Sequence, residues 1–300
     1  MTTSLDEPAM RPAFQAVSGG RRFKSGLARV LVTLAFLVAI VPLAWVIITL
    51  VSKGIEPILN PDWWQNSLNG MYPEEFGGGV YHAIYGTLVQ ALVAAVIAVP
   101  IGVLAAIYLV EYGRGKLAKI TTFMVDILSG IPSIVAALFI FAVWITTAGL
   151  TQSAFAVSLS LVLLMLPVVI RSSEEMLRLV PDELREASYA LGVPKWKTVT
   201  RVVVPTALSG IVTGVMLAIA RIMGETAPVL VLVGYSASIN YNLFDGNMAS
   251  LPLLIYNQLG NPEEAGQQRV WGAALTLVIV IMIFNLIAAV VSKLSAIKTK

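Results

Sequence analysis

The sequence contains no cysteine and a single histidine, His82. Disulfides, thiolate chemistry, iron–sulfur clusters and Cys-ligated zinc are therefore excluded, and one histidine cannot make the paired-His zinc site of an H-E-x-x-H enzyme. Charge is scarce as well. Only 12% of the 300 residues are Asp, Glu, Lys or Arg, about half the share usual in a soluble domain, and the mean hydropathy is +0.83. There is no phosphate-binding GxxxxGK[ST] string: the nearest approach, Gly113-Arg114-Gly115-Lys116, lacks the spacing and the final Ser or Thr. The chain is expected to be no enzyme, to hold no metal and to bind no cofactor of its own.

What it has in abundance is apolar sequence, 57% of the whole. Crossing about 30 Å of hydrocarbon takes about 20 apolar residues in a helix. Six runs of that order lie at 27–51, 83–110, 118–146, 151–170, 207–234 and 270–292. They are rich in Leu, Val, Ile and Ala with scattered Gly and Pro, as lipid-embedded helices tolerate. A membrane barrel would show short alternating segments instead. The first run follows Arg21, Arg22, Lys24 and Arg29 but is too long for a signal-peptide core, and no small-x-small cleavage site follows it. The expected fold class is an all-α membrane protein with six transmembrane helices over 27–292. A polar tail over 1–26, disordered by composition, precedes them, and a short tail over 293–300 follows.

Sorting the 20 Lys and Arg by segment gives the orientation. One side receives Arg11, Arg21, Arg22, Lys24 and Arg29, then Arg114, Lys116 and Lys119 between runs two and three. It also receives Arg171, Arg178, Arg185, Lys195, Lys197 and Arg201 between runs four and five, and Lys293, Lys298 and Lys300 at the end. The other side holds only Lys53 and Arg269, with Arg221 inside the fifth run. The positive-inside rule then puts both termini in the cytoplasm. It also accounts for the net charge of +3 without nucleic acid. The outward segments have another character. Trp63 and Trp64 suit a membrane interface, Glu74 and Glu75 precede a Gly77-Gly78-Gly79 run, and LPLLIY at 251–256 is too short to span. These segments are expected to be a solvated loop with a surface-lying helix, or a docking surface or external gate. His82, at the outer edge of the second run, reads as a solvated residue.

The densest charge lies in the segment 172–206. Pro181, Asp182 and Glu183 look like a helix start, with acids at the positive end of the dipole, and Gly192 looks like its stop. A second short helix from Pro194 would carry an exposed aromatic, Trp196. Within this segment Glu186-Ala187-Ser188, Gly192, Val202, Val204 and Pro205 resemble, position for position, the EAA loop of ABC importer permeases. Ser188 stands for the second Ala, and Val202 and Val204 for Ile and Leu. The resemblance implies a type I importer fold in which this loop sits in a cleft on a separate ATPase and transmits its motion. Glu186, Ala187, Ser188, Gly192 and Pro205 are the residues it singles out. ATP and Mg would then belong to that partner.

The fifth run contains the string RIMGET, Arg221 to Thr226. An uncompensated arginine in hydrocarbon costs at least about 2.5–3.5 kcal/mol, so it is expected to face protein or water. Gly210, Gly214, Ala218, Arg221 and Glu225 follow at helical spacing and would share one face. The three small residues form a ridge that permits close helix approach. Arg221 lies 14 residues past Ala207, about 21 Å along a helix. The expected substrate path comprises Arg221, Glu225 and Thr226, with Glu225 holding Arg221 and weakening its grip on an anion. The alternative is a self-neutralising packing pair. Helix three adds a polar stripe, Asp126, Ser129 and Ser133. Asp126 should lie about 9 Å shallower than Arg221 and pair elsewhere, in a buried contact between helices.

The string Arg221-x-x-Gly224-Glu225-Thr226-Ala227-Pro228 resembles the fifth helix of the phosphate importer's permeases, the PstA type more than its PstC-type companion. The second run and SLPLLIYN at 250–257 resemble it too. This implies a heterodimer with a PstC-type permease, two ATPase copies, an extracytoplasmic phosphate-binding protein, and a place in a bacterial cytoplasmic membrane. Other oxyanions (sulfate, molybdate, phosphonate) are the alternative cargo. A proton-coupled secondary transporter using Asp126 and Glu225 would leave the EAA-type loop without purpose.

Overall fold

The computed structural model describes residues 19–295, and among these the regular structure is all helix with no strands. The chain forms two compact units, 1–49 and 50–300. The described part of the first is helical, the opening of α1 (Gly19–Leu59), with an exposed sheath of apolar side chains such as Val38 and Trp45. Helix is already present over 19–26, inside the segment expected to be a polar tail, while 1–18 and 296–300 lie outside the described residues.

In the second unit α2 (Pro61–Gln65), capped by the Asn60 side chain, leads to α3 (Tyr81–Ile107), which ends in a π-helical turn, Tyr108–Tyr112. Next come α4 (Gly115–Gly130) and α5 (Ser133–Ile140), the latter extended by a π-helical turn, Phe141–Thr147. They pass together for a span but bend by 107° at Ile131 and Pro132. Ser133 is thereby removed from the stripe expected to join it to Asp126 and Ser129. α6 (Ala154–Arg178) starts on a Ser153 cap, and α7 (Asp182–Ala190) follows Pro181. The short α8 (Lys195–Thr198), a π-helical turn (Val199–Val203) and α9 (Val204–Met223) form one continuous helix of 29 residues, about 43 Å long. α10 (Ala227–Leu232), α11 (Leu251–Leu259) and α12 (Glu264–Ser295) complete the chain. Among the described residues five helices are long and apolar enough to cross a membrane, and the bent α4–α5 pair makes six.

α6 is the centre. Its most apolar window is 67% buried, against at most 28% in the other straight spans, so the others turn their apolar sides outward, as lipid-facing helices should. α3 meets α6 through small residues, Ala91, Ala94, Ala95 and Ala98, all buried. Ser158 donates to the Gln90 carbonyl across this contact at 3.1 Å. Small residues let backbones approach where no hydrophobic effect drives helices together. The ridge on α9 acts alike: Gly210 faces Met176, Gly214 faces Ser172, and Ala218 is fully buried.

Three outward features differ from expectation. Trp63 is buried, its Nε1 donating to Thr276 Oγ1 at 2.9 Å, so it is a core residue and not an interfacial anchor. α11 buries Leu251 to Leu254 and packs on α12 and α3, so it does not lie on a surface. His82 is 1% exposed and faces Tyr235 instead of water.

A Cβ on Gly86 would run into the carbonyl of Ala249, whereas one on Gly214 meets only the Ser172 side chain. Gly86→Ala is therefore expected to cost about 1–3 kcal/mol, and Gly214→Ala less because Ser172 can rotate away. Thermal unfolding of both variants in detergent checks the order.

Candidate functional site

Arg221 occupies the last turn of α9, and the helix stops two residues later at Met223. Gly224 takes the C-cap, and α10 restarts at Ala227 with Pro228 in its first turn. Glu225 thus stands in the break, not on the α9 face that carries Gly210, Gly214 and Ala218. It forms no ion pair with Arg221. Glu225 borders a small void with Thr87, Gln90 and Ser250. Arg221 borders a different cavity of about 220 Å³, lined by Leu128, Ser129, Ile131, Leu164, Pro167, Val168 and Arg171. The expected device, in which the glutamate steadies the arginine, is not what the chain builds. Thr226 is half-buried in the same break, its carbonyl accepting from the Leu230 N–H at 3.1 Å.

The cavity explains why both helices break here. Irregular backbone at membrane depth is tolerated where it lines protein or water and not where it meets lipid. The α4–α5 bend supplies Ser129 and Ile131, the end of α9 supplies Arg221, and α10 packs on α5. Pro167 weakens the α6 hydrogen-bond ladder at the same level.

Arg171 is the residue that sequence reasoning missed. Expected in a loop, it sits inside α6, seven residues before the helix ends. It pairs with Asp126 across to α4 and with Glu174 at 2.9 Å, and Glu174 also receives Arg178 at 2.6 Å. Asp126 therefore holds α4 to α6 and does not touch Arg221, and its carboxylate is largely exposed rather than buried. The spacing of Arg171, Glu174 and Arg178 by three and four, with no Pro before Pro181, was a helical signal available in the sequence. These four side chains balance two positive with two negative charges. The Arg221 guanidinium has no hydrogen bond or ion pair to any described residue. Net positive charge at the cavity comes from Arg221.

At the other end of α9, α7 and α8 make a projecting knob. Glu186 and Ala187 are exposed on α7, while Ser188 is buried and shares a 2.8 Å hydrogen bond with Thr198. Gly192 has φ +74, a left-handed stop that a side chain would strain. Pro205 sits in the first turn of α9. Leu191 and Trp196 are exposed, 83% and 62%, an apolar tip at odds with free solvent. Arg185 locks the knob to the end of α3. It donates to Glu111 Oε1 at 3.0 and 3.1 Å, to the Leu177 carbonyl at 3.0 Å, to the Val180 carbonyl at 2.6 Å and to Asp182 at 2.9 Å. Lys195 donates to the Glu111 carbonyl and lies over the Tyr112 ring.

Residues 98–298 match the family described as binding-protein-dependent transport system inner membrane component. The chain belongs to this family. Full-length relatives agree with that membership. The chain is 62% identical to the phosphate transport system permease protein PstA of Mycobacterium leprae, covering 95% of this chain and 94% of the relative. It is 61% identical to PstA 1 of Mycobacterium tuberculosis, covering 96% and 95%. Identity to PstA of Pasteurella multocida is 37%, covering 90% and 95%. Among solved structures, an inward-facing MetNI methionine ABC transporter matches with TM-score 0.57 at 21% identity, over 72% of this chain and 94% of that one. A bacterial alginate importer matches with TM-score 0.61 at 15% identity, over 93% and 100%. At such identities the likeness concerns the fold alone. It gives this permease the fold of an ABC importer type I membrane subunit, and family membership makes it the inner membrane component of a binding-protein-dependent transport system.

Breaking the Arg185–Glu111 pair tests the lock. Arg185→Met leaves the Glu111 carboxylate buried without its counter-charge, expected to cost about 3–5 kcal/mol. Adding Glu111→Leu should return part of that loss, read as thermal unfolding of single and double variants.

Proposed function

We propose that this permease passes inorganic phosphate across the cytoplasmic membrane as one subunit of an ATP-driven importer. The observation that carries the reading is the unpaired Arg221 beside Arg171, in a cavity where two membrane helices break. An anion there meets one free positive charge and one that is already shared with Asp126 and Glu174, so it is attracted without being trapped. Phosphate is the cargo because relatives 61–62% identical over nearly the whole chain are named for phosphate transport.

The remaining components follow from the same reading. A PstC-type permease supplies the other half of the path, and two ATPase subunits bind ATP and Mg and hydrolyse the nucleotide. A phosphate-binding protein delivers cargo at the face carrying 60–80 and 234–263. Both termini and the α7–α8 knob face the cytoplasm of a bacterial inner membrane, on the charge asymmetry of the loops.

Coupling has a mechanical route. Closure of the ATPases moves the exposed tip at Leu191 and Trp196. Arg185 and Lys195 pass that motion to Glu111 and so to α3. The continuous helix from Lys195 to Met223 passes it to Arg221 at its far end. Rocking of these helices around α6 would open the cavity to each side in turn.

The test is ATP-driven uptake of labelled phosphate, with sulfate as competitor, in vesicles containing the assembled complex. Arg221→Gln removes a charge-assisted contact worth about 1.5–3 kcal/mol, so uptake should fall about 10- to 100-fold while the ATPase still copurifies. Full uptake by the variant would reduce Arg221 to packing. Preferential uptake of sulfate by the native complex would replace the cargo and leave the importer.

A further inference from the structure

A second basic group stands at the opposite end of the bundle from α7 and α8, and nothing in the transport path uses it. Arg269, near the start of α12, is 4% exposed, yet no described carboxylate lies within ion-pairing distance of it. Its only partners are neutral: one terminal nitrogen donates to the Tyr72 carbonyl at 3.3 Å and to the Glu75 carbonyl. Its Nε has no partner. Burial outweighs the help of the Glu75 charge, which acts on Arg269 only from beyond ion-pairing distance; a buried guanidinium without a contacting counter-ion is costly.

Two residues that line a cavity with Arg269 also carry a buried polar atom without a partner. These atoms are the Tyr235 hydroxyl and Gln258 Oε1. The amide nitrogen of Gln258 is spent on Asn257 at 3.3 Å, so the free oxygen is an acceptor. Tyr235 is held edge-on against His82, with ring centroids 6.4 Å apart. Burial pushes its pKa up to about 12, against the smaller opposing pull of Arg269, so the hydroxyl stays a donor at neutral pH. The three residues line one open cavity of about 520 Å³, with Leu68 and Met71 also on its wall, and their unpartnered atoms are buried within that wall. The cavity has ample room for a tetrahedral anion of four oxygens.

We infer that Arg269, Tyr235 and Gln258 form a second oxyanion site, separate from Arg221, that takes a protonated oxyanion of the hydrogen phosphate kind. Arg269 Nε and the Tyr235 hydroxyl donate to anionic oxygens, and Gln258 Oε1 accepts from a P–OH. Sulfate at neutral pH carries no proton and leaves that acceptor unpaired, so the site prefers phosphate and arsenate. Placed where cargo arrives, it would hold the anion briefly before the path opens. The choice of phosphate as ligand rests on the function proposed above, whereas the unpaired groups do not.

Tyr235→Phe deletes an atom that bonds nothing within the chain, and Gln258→Leu gives up only the exposed bond to Asn257, so neither should harm folding. Phosphate binding to the assembled transporter, without its binding protein, can be followed by saturation of the ³¹P signal. The Arg221→Gln background isolates this site. Expected are binding of phosphate, competition by arsenate but not by sulfate, and about tenfold weaker binding in each variant at unchanged thermal stability. Equal binding in the native and variant proteins, or none in any of them, would overturn the site. Equal competition by sulfate would overturn the role of Gln258. Intact binding here with no phosphate uptake by the native complex would fault the proposed function and leave the site standing.

Discussion

Hydrocarbon offers no hydrogen bonds, so a helix that stops within the membrane must find partners for its freed backbone groups in protein or water. This permease stops two helices at one level, at Ile131–Pro132 and at Gly224–Thr226. Everything else supports those two interruptions. α6, the most buried span, gives both something to lean on, and small residues on α3 and α9 bring the helices close enough to it. The reward of the arrangement is an aqueous-sized space with Arg221 and Arg171 on its wall.

Charge is arranged by depth with the same economy. Asp126, Arg171, Glu174 and Arg178 form a closed alternating chain, and Arg185 with Glu111 closes another beneath it. Both tie helices together and leave no net field. Arg221 and Arg269 are two cations that form no ion pair with any described residue, one at the helix breaks and one at the far end of the bundle. An anion meeting them in order would pass two isolated positive charges separated by largely apolar walls. That suits transient occupancy better than tight binding, since a strongly held anion would not leave.

Much of this was legible in the sequence. Apolar run lengths gave the spans, and the order Glu186, Gly192, Pro205 gave the projecting knob. The ridge Gly210, Gly214, Ala218 gave the α9 face that meets α6. What stayed hidden has a common physical cause: periodicity reports a repeat, not what covers it. Glu225 fits the helical spacing of Arg221, yet Gly224 before it and Pro228 after it favour a break, and the break prevailed. Pro132 bends the third span inside an unbroken apolar run. Arg171 looked like loop because it follows the apolar stretch, although its spacing to Glu174 and Arg178 is helical. Trp63, His82 and the LPLLIY helix read as interfacial from composition, and only the packing of 60–80 against α3, α11 and α12 shows them buried. The contact of Arg185 with Glu111, 74 residues apart, has no local signature at all.

The most direct measurement is the position of a bound anion in the assembled transporter, taken with arsenate and read from the anomalous signal of arsenic. The account predicts arsenic within the cavity bounded by Ser129, Arg171 and Arg221 when that cavity is closed to both sides. Arsenic excluded from it in that state, with the anion crossing by a route that Arg221 does not touch, would contradict it.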